Sequence, residues 1–117
     1  MTRWLAIIAL GGLLPLAALG HAKLLSTVPA TGAQLAVAPK QMTLEFNEAV
    51  QIGVVKLSAD GKDIPIDLDR GAAASTKVTV ALPALAPATY RVQWSALTVD
   101  DGHVVKGTFS FVVAGAH

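Results

Sequence analysis

The sequence predicts an all-β domain, a sandwich or barrel of short strands, preceded by a segment that is removed on export. Two observations support the β prediction. Several runs alternate apolar and polar residues with a period of two, and turn-forming residues separate these runs at intervals of about 8–12 residues. A third observation is that no segment after residue 20 has a long apolar stripe with a period of 3.6 residues, so we expect little helix.

The first 20 residues have the pattern of an export signal. Arg3 supplies the positive charge, and Leu5–Leu19 is an apolar run interrupted only by two glycines and one proline. Small residues at Ala18 and Gly20 stand at the −3 and −1 positions of a signal-peptidase site. The run is shorter than the roughly 20 apolar residues of a bilayer-spanning helix, although an uncleaved N-terminal anchor remains the alternative. We expect residues 1–20 to be a signal peptide and residues 21–117 to form one domain.

The amino-acid composition excludes several classes of function. The chain of 117 residues has no cysteine, so disulfides and thiolate chemistry are excluded. Nine basic residues nearly balance eight acidic ones and form no basic stripe, which gives no electrostatic footprint for nucleic acid. Any metal site must therefore use nitrogen, oxygen or thioether ligands.

The predicted strands follow one another along the chain and are separated by turn chemistry. The alternating or β-rich runs are Met42–Phe46, Val54–Leu57, Ile64–Leu68, 77–80, Tyr90–Trp94 and Phe109–Val113. The turn segments are Pro29–Gly32, Pro39-Lys40, Asp60-Gly61, Gly71–Ala74, the stretch from Pro83 to Pro87, and Asp101-Gly102. Asp60-Gly61 suits a type I′ hairpin turn, in which both central residues need positive φ.

Histidine is scarce after the predicted signal, with only His21, His103 and the terminal His117. Cleavage after Gly20 makes His21 the first residue, which offers an α-amine and an imidazole that close a chelate ring on one metal ion. The α-amine has a reference pKa of about 7.7–8.0, so its deprotonation near neutral pH is cheap. We expect His117 to be a solvated chain end.

The Asp101-Gly102-His103 segment adds a carboxylate and a second imidazole. Spacing of two residues puts both side chains on one face of an extended segment, and Gly102 lets the backbone bend. With His21 the donors are three nitrogens and one oxygen, a set that suits tetragonal Cu(II) better than Zn(II), Ca(II) or Mg(II). The alternative for the Asp-Gly pair alone is an ordinary hairpin turn.

These residues resemble the CopC family of periplasmic copper-resistance proteins. The similarity begins at His21-Ala22-Lys23 and Pro29-Ala30-Thr31-Gly32, and it continues through Leu44-Glu45-Phe46-Asn47-Glu48. It ends with Thr89–Trp94, Asp101-Gly102-His103 and Gly107–Phe111. The resemblance implies an immunoglobulin-like or Greek-key β-sandwich. It also implies one Cu(II) ion per chain, held by His21, Asp101 and His103, with Glu48 as an accessory carboxylate.

The resemblance also bears on the biological role. It implies a periplasmic copper-binding protein, expected to be monomeric, that sequesters copper for homeostasis or resistance, or delivers it to a CopD-type membrane importer. Some family members carry a second, Cu(I) site in a methionine-rich loop. Here the corresponding segment, Leu57–Pro65, contains neither methionine nor histidine, which predicts a Cu(II)-only protein.

Two other functions fit parts of the sequence. A copper oxygenase of the lytic polysaccharide monooxygenase type also uses an N-terminal histidine and a second histidine. The chain shows no aromatic-rich flat surface for a polysaccharide, and Asp101 would fill a position that such an enzyme tends to leave open. A metal-free structural module is the third possibility. We expect a binding protein rather than an enzyme.

Overall fold

The computed structural model describes residues 22–115, a range that contains seven β-strands. The strands are β1 (Leu24–Val28), β2 (Gln34–Leu35), β3 (Gln41–Ala59), β4 (Lys62–Ile64), β5 (Ser75–Ala81), β6 (Ala88–Thr98) and β7 (Val104–Val113). The predicted signal peptide, His21 and His117 lie outside the described residues. Within 22–115 there is no helix with the length and hydropathy needed to cross a membrane.

The long strand β3 organises the sheet, whose order is β1-β3-β6-β7-β2, with β4 and β5 also paired to β3. The first half of β3 pairs with β1 and β5, and the second half pairs with β4 and β6. Two register shifts, between Glu45 and Val50 and between Ile52 and Val54, bend the strand between these halves. The prediction of an all-β sandwich or barrel is confirmed.

One apolar core lies inside the curled sheet and follows the alternation read from the sequence. Strand β6 buries every second residue, and Met42, predicted to be core, is fully buried. Phe46 and Trp94 meet edge to face with centroids 5.2 Å apart, and Tyr90 stacks on Phe111. Burial of these side chains supplies the main stabilisation in a chain that has no disulfide.

The turn between β3 and β4 was predicted correctly from the sequence, whereas the short strands were not. Asp60 and Gly61 both have positive φ, of 52° and 75°, and join β3 to β4 as a type I′ turn requires. The predicted strand Ile64–Leu68 was wrong, because β4 ends at Ile64. Pro65 follows immediately and has no N–H to donate to a ladder. Strands β1 and β2 were not predicted, since neither shows clean alternation.

Candidate metal centre

The turn between β6 and β7 holds two of the predicted ligands, and Thr98 organises it. The Thr98 N–H donates to the carbonyl oxygen of His103 at 2.8 Å, and the Gly102 N–H donates to that of Thr98 at 3.0 Å. The Thr98 hydroxyl oxygen accepts the His103 N–H at 3.0 Å. Gly102 has a φ of 71°, a conformation that a residue with a Cβ adopts only with strain. The turn therefore depends on one buried hydroxyl and one glycine.

Asp101 and His103 lie side by side on this turn. The Asp101 Oδ2 accepts a hydrogen bond from the His103 Nδ1 at 3.0 Å, and Oδ1 lies 3.3 Å from the His103 backbone nitrogen. The side chains are 30% and 56% exposed, so solvent and dissolved ions reach both. The predicted turn at Asp101-Gly102 is confirmed, whereas the expectation that the pair shares one face of an extended segment was wrong. The two side chains meet because Asp101 belongs to the turn and Gly102 reverses the chain.

The electrostatics of the turn favour an ionised carboxylate. The hydroxyl of Thr98 donates to the Asp101 Oδ1 and holds the pKa of this carboxyl below its usual value. The backbone N–H and the ring of His103 act in the same direction, and partial desolvation opposes them. A negatively charged oxygen is therefore kept beside an imidazole over the neutral pH range.

The spacing of this pair fits two neighbouring ligands of one metal ion. Metal–nitrogen and metal–oxygen bonds of about 2.0–2.2 Å, set at right angles, separate their donor atoms by about 2.8–3.1 Å. The Asp101 Oδ2 and the His103 Nδ1 are 3.0 Å apart. The same distance is that of an ordinary hydrogen bond, so a metal ion bound to both atoms would have to displace the Nδ1 proton.

The pair does not complete a metal site within the described range. Among residues 22–115, no cluster of three or more histidine, cysteine, aspartate or glutamate side chains could hold a metal ion. The described residues thus bring together two of the three predicted ligands. His21, the predicted third residue of the set, stands one position before the described range.

The topology brings the start of the described chain and the turn to the same part of β3. Lys23 makes two hydrogen bonds with Asn47, and Leu24 lies opposite Phe46. A few residues further along β3, Val50 lies opposite Thr98, and the Val99 N–H donates to the Ala49 carbonyl oxygen at 3.4 Å. The segment Asn47–Val50 thus borders both.

Glu48 belongs to this bordering segment, and its side chain is half-buried. This is the neighbourhood expected from the sequence for an accessory carboxylate. Its role stays a prediction.

Two residues that the sequence analysis did not assign to the site shape its surroundings. Thr98 is the one fully buried polar residue among those described, and it ends an inward-facing series of apolar residues on β6. A lone polar residue in a buried period-two series is a signal for a structured hydrogen bond. Asn47 gave no such signal, because its contact is with the backbone of a residue 24 positions away.

Comparisons with known proteins agree with this architecture. The sequence profile of the CopC domain matches residues 24–114. Protein YobA of Escherichia coli strain K12 is 34% identical over 99 residues, which cover 80% of this chain and 78% of that protein. Copper transport protein CutJ of Bacillus subtilis strain 168 is 29% identical over 119 residues, which cover 97% of this chain but only 22% of CutJ.

Solved structures give the same result. The crystal structure of CopC from Methylosinus trichosporium OB3b matches with a TM-score of 0.68 at 25% identity, covering 83% of this chain and 97% of that one. PcoC, described as a methionine-rich copper resistance protein from Escherichia coli, matches with a TM-score of 0.67 at 27% identity. That match covers 80% of this chain and 99% of PcoC.

Proposed function

The chain belongs to the CopC family of copper-handling proteins, and from this premise we propose that it binds one Cu(II) ion in the periplasm. The bound copper is sequestered or passed to a membrane copper importer. The observation that carries the proposal is the 3.0 Å pairing of Asp101 and His103 on a turn built around Thr98. It supplies two donors with the spacing of neighbouring ligands.

The proposed ligands are His21, Asp101 and His103. His21 would contribute its α-amine and its imidazole, Asp101 a carboxylate oxygen, and His103 a second imidazole. Three nitrogens and one oxygen suit Cu(II), which favours tetragonal nitrogen and oxygen sets. Asp101 can bind a metal ion at neutral pH without first losing a proton, because its pKa is lowered from an ordinary value that is already acidic.

The proposal requires that residues 1–20 are removed as a signal peptide and that residues 21–117 form the mature domain. Only then is the His21 nitrogen a primary amine rather than an amide. Cleavage of the signal peptide during export to the periplasm would then create the amine ligand. A protein retained with its signal would lack the chelating N-terminus.

An exposed site suits a protein that releases its metal. Because Asp101 and His103 are partly open to solvent, a ligand from another protein can approach the ion and replace them one at a time. The match to CutJ covers a small part of a longer copper transport protein. The match supports a role in which this domain delivers copper to a CopD-type membrane partner.

We propose binding rather than catalysis. The aromatic side chains of the described range are all buried, with Tyr90, Trp94 and the three phenylalanines each no more than 6% exposed. A polysaccharide oxygenase needs exposed aromatic rings to lie against its substrate. The carboxylate of Asp101 would also occupy a position that an oxygenase leaves open for its oxidant.

The experiment that tests the proposal is the Cu(II) electron paramagnetic resonance spectrum of the exported protein, with its intact mass measured on the same sample. The mass identifies the first residue. We expect a mass that begins at His21, one copper per chain, and a tetragonal spectrum with coupling to three nitrogens. A His103→Ala variant should lose one nitrogen. Unchanged spectra in this variant would contradict the assignment.

A further inference from the structure

The side-chain oxygen of Asn47 accepts a hydrogen bond that a backbone carbonyl oxygen usually accepts in a sheet. The Lys23 N–H donates to the Asn47 side-chain Oδ1 at 2.7 Å, and the Asn47 N–H donates to the Lys23 carbonyl oxygen at 3.1 Å. The two bonds form a closed ring between one residue before β1 and one residue of β3. We name this pair of bonds the Asn47 clamp.

Strand β3 is irregular where the clamp forms. Between Glu45 opposite Lys77 and Val50 opposite Ser75, β3 advances five residues while β5 advances two. The extra residues leave the regular ladder, and a β-bulge of this kind reorients side chains and often interrupts pairing. Pairing of β1 with β3 ends at Leu24 and Phe46, and the Asn47 side chain extends it by one further position.

The clamp fixes the chain two residues after position 21. It holds Lys23, and each residue of a chain spans at most about 3.6 Å. Ala22, between position 21 and Lys23, is only 6% exposed and belongs to the apolar core, which adds a second restraint on the chain. A chain end is otherwise free to fray, since the first residues of a domain are ordered only when they are tied down.

The same segment of β3 also contacts the end of β6, where the turn with Asp101 and His103 begins. Two residues after Asn47, the Ala49 carbonyl oxygen accepts the Val99 N–H, and the next residue, Val50, lies opposite Thr98. The chain start and the turn are therefore fastened to one strand, two or three residues apart. Their relative position depends on this segment rather than on a direct contact between them.

We propose that Asn47 is a positioning residue that sets the Cu(II) affinity by fixing the start of the mature chain against the Thr98–His103 turn. The inference rests on the proposed function, in which His21 supplies copper ligands. Without the Oδ1 acceptor, the chain start loses one of its two hydrogen bonds to β3. Part of the free energy of copper binding is then spent on ordering the chain start, so the affinity for Cu(II) falls.

The test compares Asn47→Ala and Asn47→Asp with the parent protein, all beginning at His21, and with Ser26→Ala as a matched control. Ser26 also contacts β3 from β1, through an exposed 3.5 Å bond to Glu45, but lies on the far side of Leu24 from the clamp. Three properties are measured: hydrogen exchange of the Lys23 amide without metal, Cu(II) Kd against a competing chelator, and the paramagnetic resonance spectrum at saturating copper.

We expect Asn47→Ala to speed exchange of the Lys23 amide and to raise Kd about tenfold, the equivalent of one hydrogen bond. The spectrum at saturation should be unchanged, because the ligands themselves remain. Asn47→Asp keeps an acceptor oxygen and should restore both the slow exchange and the affinity. Ser26→Ala should match the parent.

Three results would overturn the inference: parent-like affinity in Asn47→Ala, lost affinity with parent-like Lys23 exchange, or no rescue by Asn47→Asp. If the parent itself bound no Cu(II), the proposed function would fail instead. In that case the Lys23 exchange rates would still decide whether Asn47 fixes the chain start.

Discussion

Thr98 and His103 are joined across their turn by hydrogen bonds in both directions. The Thr98 N–H donates to the His103 carbonyl oxygen at 2.8 Å, and the His103 N–H donates to the Thr98 hydroxyl oxygen at 3.0 Å. Thr98 is fully buried at the end of β6, whereas the imidazole of His103 is exposed. The candidate metal site is therefore held by a residue of the core, and core packing and ligand geometry are linked.

The first prediction concerns the Thr98 hydroxyl. Thr98→Val keeps the shape of the side chain but removes the donor to Asp101 and the acceptor for the His103 N–H. We expect a loss of about 1–3 kcal/mol in unfolding free energy, since the buried Thr98 hydroxyl makes hydrogen bonds to both Asp101 and His103 that valine cannot make. Urea unfolding of the metal-free protein measures this loss. Thr79→Val, at an exposed hydroxyl 3.5 Å from that of Thr43, is the control and should change stability little.

The same variant predicts a change with pH. The folded-state pKa of Asp101 is lowered mainly by the hydrogen bond from Thr98. The stability that the ionised carboxylate adds to the fold is therefore present above the ordinary aspartate pKa of about 3.9, and it is lost as the pH falls through the lowered value. Thr98→Val should raise the Asp101 pKa in an NMR titration. The stability difference between parent and variant should be larger at neutral pH than in strong acid. An unchanged titration would show that Thr98 does not control the carboxylate.

The second prediction concerns the first residue of the mature chain. One residue added before His21 converts the primary amine to an amide, whose nitrogen is far harder to deprotonate, and leaves two nitrogen ligands instead of three. Cu(II) affinity should fall strongly, and the nitrogen coupling in the spectrum should change. Asp101→Asn should cost less than His103→Ala, because an oxygen donor remains. Equal affinity and identical spectra with and without the extra residue would exclude the amine as a ligand.

The sequence predicted the fold from features that are local along the chain. Alternation in β6 and β7 assigns the buried face, and Asp60-Gly61 has the two positive φ values of its predicted turn. It could not show that Met42–Phe46 and Val54–Leu57 belong to one strand of 19 residues. Two register shifts interrupt the alternation between them, so the pattern read along the chain looks like two strands.

The same dependence on local features limits what the sequence could show of the candidate site. Asp101 and His103 are close in sequence, and their chemistry was visible there. The contact of Asn47 with Lys23 joins residues 24 positions apart, and only the pairing of β1 with β3 brings them together. The role of Thr98 depends on its burial beside a turn whose conformation is set by Gly102, and that conformation is a property of the folded hairpin.

The third prediction concerns stoichiometry and oxidation state. The segment that would carry a methionine-rich site is a tight hairpin here, from the end of β3 through Asp60-Gly61 to β4, and it has no methionine. Met42 is fully buried. We expect one Cu(II) per chain, weak retention of copper after reduction, and no tight Cu(I) equivalent in competition with a Cu(I) chelator. Tight binding of a second copper under reducing conditions would contradict this expectation.

The last prediction concerns packing between β6 and β7, away from the proposed ligands. Trp94 lies opposite Gly107, and a Cβ on Gly107 would stand 2.9 Å from the indole Cζ2 and 3.1 Å from Cε2 and Nε1. Gly107→Ala should therefore destabilise the protein by about 1–3 kcal/mol through overpacking, since the indole is buried and also packs edge to face on Phe46.

Gly53→Ala is the matched control, because its Cβ would meet only Ser95 atoms at 3.7 and 3.8 Å, which is ordinary contact. The control should be neutral or slightly stabilising, as removal of a glycine restricts the unfolded chain. Urea unfolding followed by circular dichroism compares the two. Cu(II) affinity measured on both variants should stay near that of the parent, since neither glycine touches the Thr98–His103 turn or the Asn47 clamp. A Gly107→Ala protein as stable as Gly53→Ala would show that the indole moves aside at little cost, and that the Trp94–Gly107 pair does not constrain the core.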